Sequence, residues 1–223
     1  MAAQLLCTRW TMLVLRELMA GSTRFNDLRR GVPKMSPTLL SQRLKELEAA
    51  GIIKRHPAQS ENSFEYQLTD AGKDLRGVVE TMGFWGQRWI ETNSSLKKKN
   101  LDVSLLMWDM RRNLKPSPLP KKRTVINFLY PELPVSKRSW WLVVEADGDV
   151  DLCWADPGFE VDLYVSTDLR TMTAIWMGLT TVAREKDKVS LTGDRAIANT
   201  MRDWLGLSPF AVERKRGPTL VAA

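Results

Sequence analysis

Apolar residues recur at helical spacing over the first twenty positions. Trp10, Leu13, Val14 and Leu18 make one stripe, and Met12, Leu15 and Met19 make a second. The spacing predicts one helix from about Leu5 to Ala20, closed by Gly21. Two stripes imply burial on two sides, either against a second subunit or as a central core helix. A short helix is predicted next over Arg24–Arg30, with Phe25 and Leu28 inward, stopped by Gly31-Val32-Pro33. Ser36 then suits a helix cap and Pro37 the first helical position. Leu40, Leu44 and Leu47 form the buried stripe of this third helix, with Leu39 at its margin. Thr38, Ser41, Gln42 and Lys45 face away, Arg43 sits at the edge, and Gly51 ends the helix.

The period then changes. Ile52–Pro57 reads as a strand, Ala58–Ser63 as a polar loop, and Phe64–Leu68 as a half-buried strand. Two strands directly after a helix-turn-helix make a wing. A long helix begins near Thr69 or Asp70, with a seam of Leu75, Val78, Met82, Trp85 and Trp89. Gly72, Gly77, Gly83 and Gly86 weaken its intrinsic propensity, so packing must hold the seam, within the fold or against a partner chain. Asn93–Asn100 is polar and basic and reads as a linker.

The second half predicts a helix over Asp102–Asn113 and a strand over Trp140–Ala146. A tight turn at Asp147-Gly148 leads to a return strand over Val150–Trp154. Another strand is expected over Glu160–Val165. Asp168 caps a helix that turns Leu169, Met172, Ile175 and Trp176 inward. A short strand over Val189–Thr192 precedes a last helix with Ile197, Met201, Trp204 and Leu205 on one face, and a loose basic tail from Glu213. There is no internal repeat.

Composition sharpens this outline. The 223 residues are 43% hydrophobic and 26% charged, enough for a core in one large or two small domains. No apolar run is long enough for a membrane helix, and Arg9, Arg16 and Glu17 inside the first apolar stretch argue against a signal peptide. Cys7 and Cys153 are far apart, which implies neither a disulfide framework nor a metal motif and suits a reducing cytoplasm. The net charge of +7 is uneven: residues 1–99 carry 16 Lys/Arg against 10 Asp/Glu. A basic half favours a polyanion partner there.

That partner is expected to be double-stranded DNA. Arg43 could fork onto a guanine edge and Gln42 pair with adenine, while Thr38 and Ser41 are short enough for close approach. Ser36 and Pro37 open the helix, whose N-terminus suits a phosphate. Arg24 and Lys45 extend the basic surface, and Lys54, Arg55 and His56 in the wing reach phosphate or a minor groove. The competing reading is an ordinary solvated helix face. His56, the only histidine, is a poor base or metal ligand between Arg55 and Pro57. Asp147, Asp149 and Asp151 lack the glycine and closing glutamate of a calcium loop. No phosphate-binding loop, nucleophile elbow, paired-cysteine motif or zinc-helix motif occurs, so no catalytic residue, cofactor or metal is expected. Six of nine tryptophans follow residue 100, and they either line an apolar pocket or form core.

Several of these residues also carry a resemblance. Arg9-Trp10-Thr11, Leu15-Arg16-Glu17-Leu18, Gly21, Arg24-Phe25, Leu28, Ser36-Pro37, Leu40, Arg43-Leu44, Leu47-Glu48, Gly51, Leu68-Thr69 and Gly72 resemble the HxlR family of winged helix-turn-helix regulators over about residues 5–92. The resemblance implies a bacterial, dimeric DNA-binding regulator, often responsive to chemical signals, with a longer leading helix than this start provides. Some members sense oxidants through a cysteine near the first helix, but Cys7 falls later than that position, and the role is not transferred. Trp141–Val144, Asp151–Cys153, Asp162-Leu163, Ile175–Gly178 and Leu191–Arg195 resemble a sterol-carrier-type lipid-binding domain. This second resemblance implies an apolar cavity, for which Phe128, Trp141, Trp154, Trp176, Met177 and Trp204 are the candidate lining.

The expectation is an α+β chain. Residues 1–95 form a winged helix-turn-helix domain and residues 101–210 a mixed α/β sterol-carrier-like domain. The chain acts in the cytoplasm as a homodimer on a palindromic operator and responds to a hydrophobic small molecule, without membrane insertion. The alternative is a lipid or small-molecule carrier with incidental DNA affinity.

Overall fold

A computed structural model describes residues 2–58 and 63–216. The chain divides into two compact units, Met1–Gly86 and Gln87–Ala223. The first unit contains α1 (Ala2–Leu6), α2 (Thr11–Met19), α3 (Phe25–Gly31), α4 (Pro37–Ala49), β1 (Ile53–Pro57), β2 (Phe64–Leu68), α5 (Asp70–Asp74) and most of α6 (Arg76–Trp89).

The single leading helix expected over Leu5–Ala20 is two helices. The Thr8 hydroxyl donates to the Gln4 carbonyl at 3.0 Å and closes α1. Trp10 then takes φ 77, which no right-handed helix accommodates, and the chain turns before α2. Leu13 is consequently exposed, while Val14, Leu15 and Leu18 join the core. That core is completed by Leu28, Leu40, Leu44, Leu47 and Ile53.

A buried polar knot ties α2 to the end of α3. Glu17 is fully buried, and Arg16 Nη2 donates to its Oε1 at 2.6 Å and to the Gly31 carbonyl at 3.3 Å. The Ser22 hydroxyl reaches Glu17 Oε2 at 3.4 Å. Gly31 is required here, since a Cβ would stand 1.9 Å from Glu17 Cδ. This close approach fixes where the chain leaves α3 for α4.

β1 and β2 pair antiparallel from Ile53↔Leu68 to Pro57↔Phe64. The Tyr66 N–H bonds the Thr23 carbonyl at 2.7 Å, which fastens the hairpin to the α2–α3 connection. Residues 59–62 of the expected wing loop lie outside the described residues. The Thr69 side chain accepts the Gly72 N–H to start α5, but the helix breaks at Leu75 instead of running on. The expected seam is not filled: Val78, Met82 and Trp85 are 49%, 46% and 48% exposed, and Val79 is the apolar residue buried along this stretch.

The second unit contains α7 (Thr92–Ser95), a 3-10 turn at Lys98–Asn100, α8 (Val103–Asn113), β3 (Thr124–Leu129), α9 (Val135–Arg138), β4 (Ser139–Val144), β5 (Val150–Cys153), β6 (Leu163–Ser166), α10 (Leu169–Trp176), β7 (Ser190–Gly193), α11 (Arg195–Asn199) and α12 (Met201–Trp204). The linker expected over residues 93–100 is thus helical turn, with Leu96 buried and its carbonyl held by Arg170 at 2.6 Å. The sheet order is β5-β4-β3-β6-β7. β3 and β6 are parallel, and the other pairs are antiparallel. The central strand β3 escaped the sequence reading because Thr124–Phe128 is buried throughout and lacks a period of two.

One sheet face presents Ile126, Phe128, Leu142, Val144, Leu163 and Val165 to α8, α10, α11 and α12. The expected last helix breaks at Thr200, whose hydroxyl bonds the Ala196 carbonyl at 2.9 Å. The tail expected to be loose is anchored at Glu213, which takes a two-point ion pair from Arg88 at 2.7 and 2.8 Å. That pair holds the Glu213 carboxyl below its ordinary range.

Candidate nucleic-acid interface

α4 is built for exposure on one side. Ser36 caps it by accepting the Leu39 N–H at 3.2 Å, and Pro37 takes the first position, where no N–H is needed. Leu40, Leu44 and Leu47 are buried at three- and four-residue spacing. Thr38, Gln42 and Lys45 are therefore carried outward, and all three are exposed, with Ser41 half-buried beside them. The stripe combines a short hydroxyl, an amide suited to a base edge and an ammonium suited to phosphate.

Arg43 departs from its expected place. It is 8% exposed, and its guanidinium Nη1 is ion-paired with Glu46 Oε2. Its Nε has no hydrogen-bond partner among the described residues. Three residues after Leu40 and one before Leu44, the position turns toward the core side, so Arg43 is not part of the outward stripe. Glu46 also accepts from Gln42 Nε2 at 3.0 Å. The sequence reading missed Glu46, although its spacing of three from Arg43 and four from Gln42 is the signal for such contacts.

The wing residues do not form one contact set. Lys54, Arg55 and His56 are all exposed, but a strand sends neighbours to opposite faces. Arg55 lies on the Ile53 side and stacks over the Phe64 ring at 3.7 Å. Lys54 and His56 share the other side, with Lys54 close enough to contribute to the lowered carboxyl range of Asp70, which Lys73 chiefly causes. Arg24 stands before α3 with its Nε 3.4 Å from Glu65 Oε1, linking it to the wing.

Of the six residues expected to line an apolar pocket, Phe128, Trp176 and Trp204 share one hydrophobic cluster, whereas Trp141, Trp154 and Met177 lie outside it. Phe128 and Trp204 are fully buried core, and the Trp204 indole N–H bonds the Ile197 carbonyl at 2.8 Å. Trp141 pairs across the sheet with Asn127, so strand alternation puts it on the face opposite Phe128. Trp154 is 62% exposed. Trp176 and Met177 are half-buried at the end of α10; the Trp176 Nε1 has no partner among the described residues, and the Met177 carbonyl accepts from Gln87. Among the described residues, no group of three His, Cys, Asp or Glu is placed to hold a metal, and no helix is long and apolar enough to cross a membrane.

Comparison with known proteins bears on the first unit. The HxlR-like helix-turn-helix family pattern matches residues 5–94. The HTH-type transcriptional regulator YvaP of Bacillus subtilis (strain 168) is 37% identical over 91 residues, covering 40% of this chain and 84% of YvaP. The HTH-type transcriptional regulator Rv3095 of Mycobacterium tuberculosis (strain ATCC 25618 / H37Rv) is 39% identical over 90 residues, 40% of this chain and 56% of Rv3095. Among solved structures, the redox regulator HypR in its reduced form shares 31% identity over 39% of this chain and 86% of HypR, with a TM-score of 0.37. The curated relatives are named as transcriptional regulators and not as enzymes. With its leucine-backed α4, its two-stranded wing and these relatives, the chain belongs to the HxlR-like helix-turn-helix family of DNA-binding transcriptional regulators.

Proposed function

We propose that the chain is a cytoplasmic, homodimeric, ligand-responsive regulator, with residues 1–95 reading DNA and residues 101–210 binding a small molecule. The carrying observation is the outward stripe Thr38, Gln42 and Lys45 on a helix whose other side is fully buried leucine, next to a basic wing strand. α4 enters the major groove, Gln42 and Thr38 meet base edges, and Lys45 and Lys54 meet phosphates. Arg24, Ser36, Pro37, Ser41, Arg55 and His56 border this surface. Arg43 reaches a guanine only if Glu46 releases it, so it stands behind the first line of contacts.

Dimerisation is supported by Val78, Met82 and Trp85, three large apolar side chains left exposed on one stretch of α6. Two such helices pair the reading heads over a palindrome with half-sites about one helical turn apart. Met82→Glu is expected to turn the dimer into monomer in sedimentation equilibrium, and an unchanged mass would refute this interface.

The sterol-carrier-like reading of the second unit is supported by its mixed sheet and by Met107, Met110, Met172 and Met201 packed under it. Methionines repack readily around an apolar guest. Mass spectrometry of small molecules released from the purified chain tests that reading.

Two substitutions separate the DNA roles. Lys54→Ala, which removes one phosphate contact from each subunit, is expected to weaken binding about equally on every sequence and to reduce the salt slope by roughly two. Gln42→Ala is expected to cost about 1–3 kcal/mol at one base position and little elsewhere. Equilibrium titrations on a set of single-base operator variants check both, and equal effects of Gln42→Ala on all variants would exclude base readout.

A further inference from the structure

On α4 one carboxylate holds two neighbours. Glu46 Oε1 accepts from Gln42 Nε2 at 3.0 Å, and Glu46 Oε2 is ion-paired with Arg43 Nη1. Gln42 stands one turn before Glu46 and is exposed, Glu46 is half-buried, and Arg43 is buried. The carboxylate is thus fixed from behind by an enclosed guanidinium, and it fixes in turn the exposed amide.

The chemistry of these groups permits a single arrangement. A guanidinium only donates and an ionised carboxylate only accepts, whereas a glutamine amide has an accepting oxygen and a donating nitrogen. Gln42 must therefore turn its nitrogen to Glu46, as it does. The Gln42 Oε1 and the second N–H of its Nε2 remain for a base. An acceptor beside a donor matches adenine, which offers its N6 amino group and N7 in the major groove. Guanine offers two acceptors, O6 and N7, and would meet the Gln42 oxygen with an oxygen. Turning the amide over to suit guanine would set that oxygen against the Glu46 carboxylate and lose a charge-assisted bond.

We propose that Glu46 is a positioning residue that sets base choice at one pair of each half-site: by holding the Gln42 amide in one orientation, it makes Gln42 accept adenine and reject guanine. The proposal rests on the reading that α4 lies in the major groove with Gln42 at a base edge. Arg43 serves the same end without touching DNA, since it neutralises a carboxylate that phosphates would repel and keeps its second oxygen occupied. The isosteric Glu46→Gln inverts the arrangement. Arg43 still requires an acceptor, so the new amide gives it the oxygen and turns its nitrogen to Gln42. Gln42 then answers with Oε1 and presents both N–H groups of Nε2 to the base, the pattern guanine accepts.

The full chain selects from a randomised double-stranded DNA library, and each single-base variant of the selected sequence is then titrated. Preference within one base pair is the readout, because removing a carboxylate near phosphates raises affinity for all sequences alike. The wild type is expected to favour adenine over guanine about tenfold or more at one pair, and Glu46→Gln to favour guanine there roughly threefold or more, with the other pairs unchanged. A merely structural role would flatten preferences together and reverse none. In Gln42→Ala/Glu46→Gln the guanine preference should vanish; its persistence would assign guanine to a released Arg43 and overturn the proposal. Arg43→Leu/Glu46→Gln carries no buried cation and serves if Glu46→Gln alone weakens the helix. With nothing to orient the new amide, it should accept adenine and guanine within about twofold of each other. Unchanged adenine preference in Glu46→Gln or in Arg43→Leu/Glu46→Gln overturns the positioning role, while a Gln42→Ala chain that loses the preference leaves DNA reading by Gln42 standing. If Gln42→Ala alters no preference, both fall.

Discussion

Gly31→Ala is expected to lower the stability of the first unit by about 3 kcal/mol and to abolish DNA binding with it. The methyl group would stand 1.9 Å from both Glu17 Cδ and Oε2, and Glu17 has no room to retreat because it is fully buried. Either the carboxylate leaves Arg16 and Ser22, or α3 shifts and carries the α3–α4 turn away from its place. The test is a double-mutant cycle by urea unfolding. Glu17→Ala alone should also destabilise, because Arg16 and Ser22 lose their partner. In the Glu17→Ala background, however, the added Gly31→Ala should cost almost nothing, since the space is vacant. Costs that simply add would show that the two residues do not meet as described.

Trp204→Ala is expected to cost the second unit about 3–5 kcal/mol, the range for removing a buried aromatic. Trp204 is the largest fully buried side chain, and its N–H is satisfied by Ile197. Trp204→Phe should retain most of the packing and lose roughly 1 kcal/mol with the hydrogen bond. Thermal unfolding followed by tryptophan fluorescence separates the two variants. A Trp204→Ala chain that melts near the wild type would restore Trp204 as a pocket residue in place of a core one.

The sequence was most legible where one periodicity ran without interruption. Leu40, Leu44 and Leu47 predicted both the buried face of α4 and, by subtraction, the outward stripe, and Ser36-Pro37 marked its start. Breaks were less legible because they depend on single backbone angles or hydroxyls: Trp10 at φ 77 and Thr200 on the Ala196 carbonyl interrupt runs whose spacing looked continuous. β3 was hidden for the opposite reason, since a strand covered on both faces has no alternation to read. Arg43 shows the limit for sites. Spacing put it at an edge, but whether an edge arginine turns to solvent or to Glu46 is a matter of partners. Trp141 falls outside the cluster that holds Phe128, Trp176 and Trp204, because residue type carries no information about which sheet face a strand gives each side chain.

DNA reading by the outward stripe of α4 and by Lys54 on β1 is tested most directly by equilibrium binding of the chain to a double-stranded DNA library over a range of salt, with a Thr38→Ala/Gln42→Ala/Lys45→Ala triple variant alongside. With Lys45 and Lys54 each on a phosphate in both subunits, log affinity should fall with log salt at a slope near −4. The wild type should enrich a two-fold symmetric sequence that the triple variant no longer selects. Equal selection by both chains, or binding without salt dependence, would contradict it.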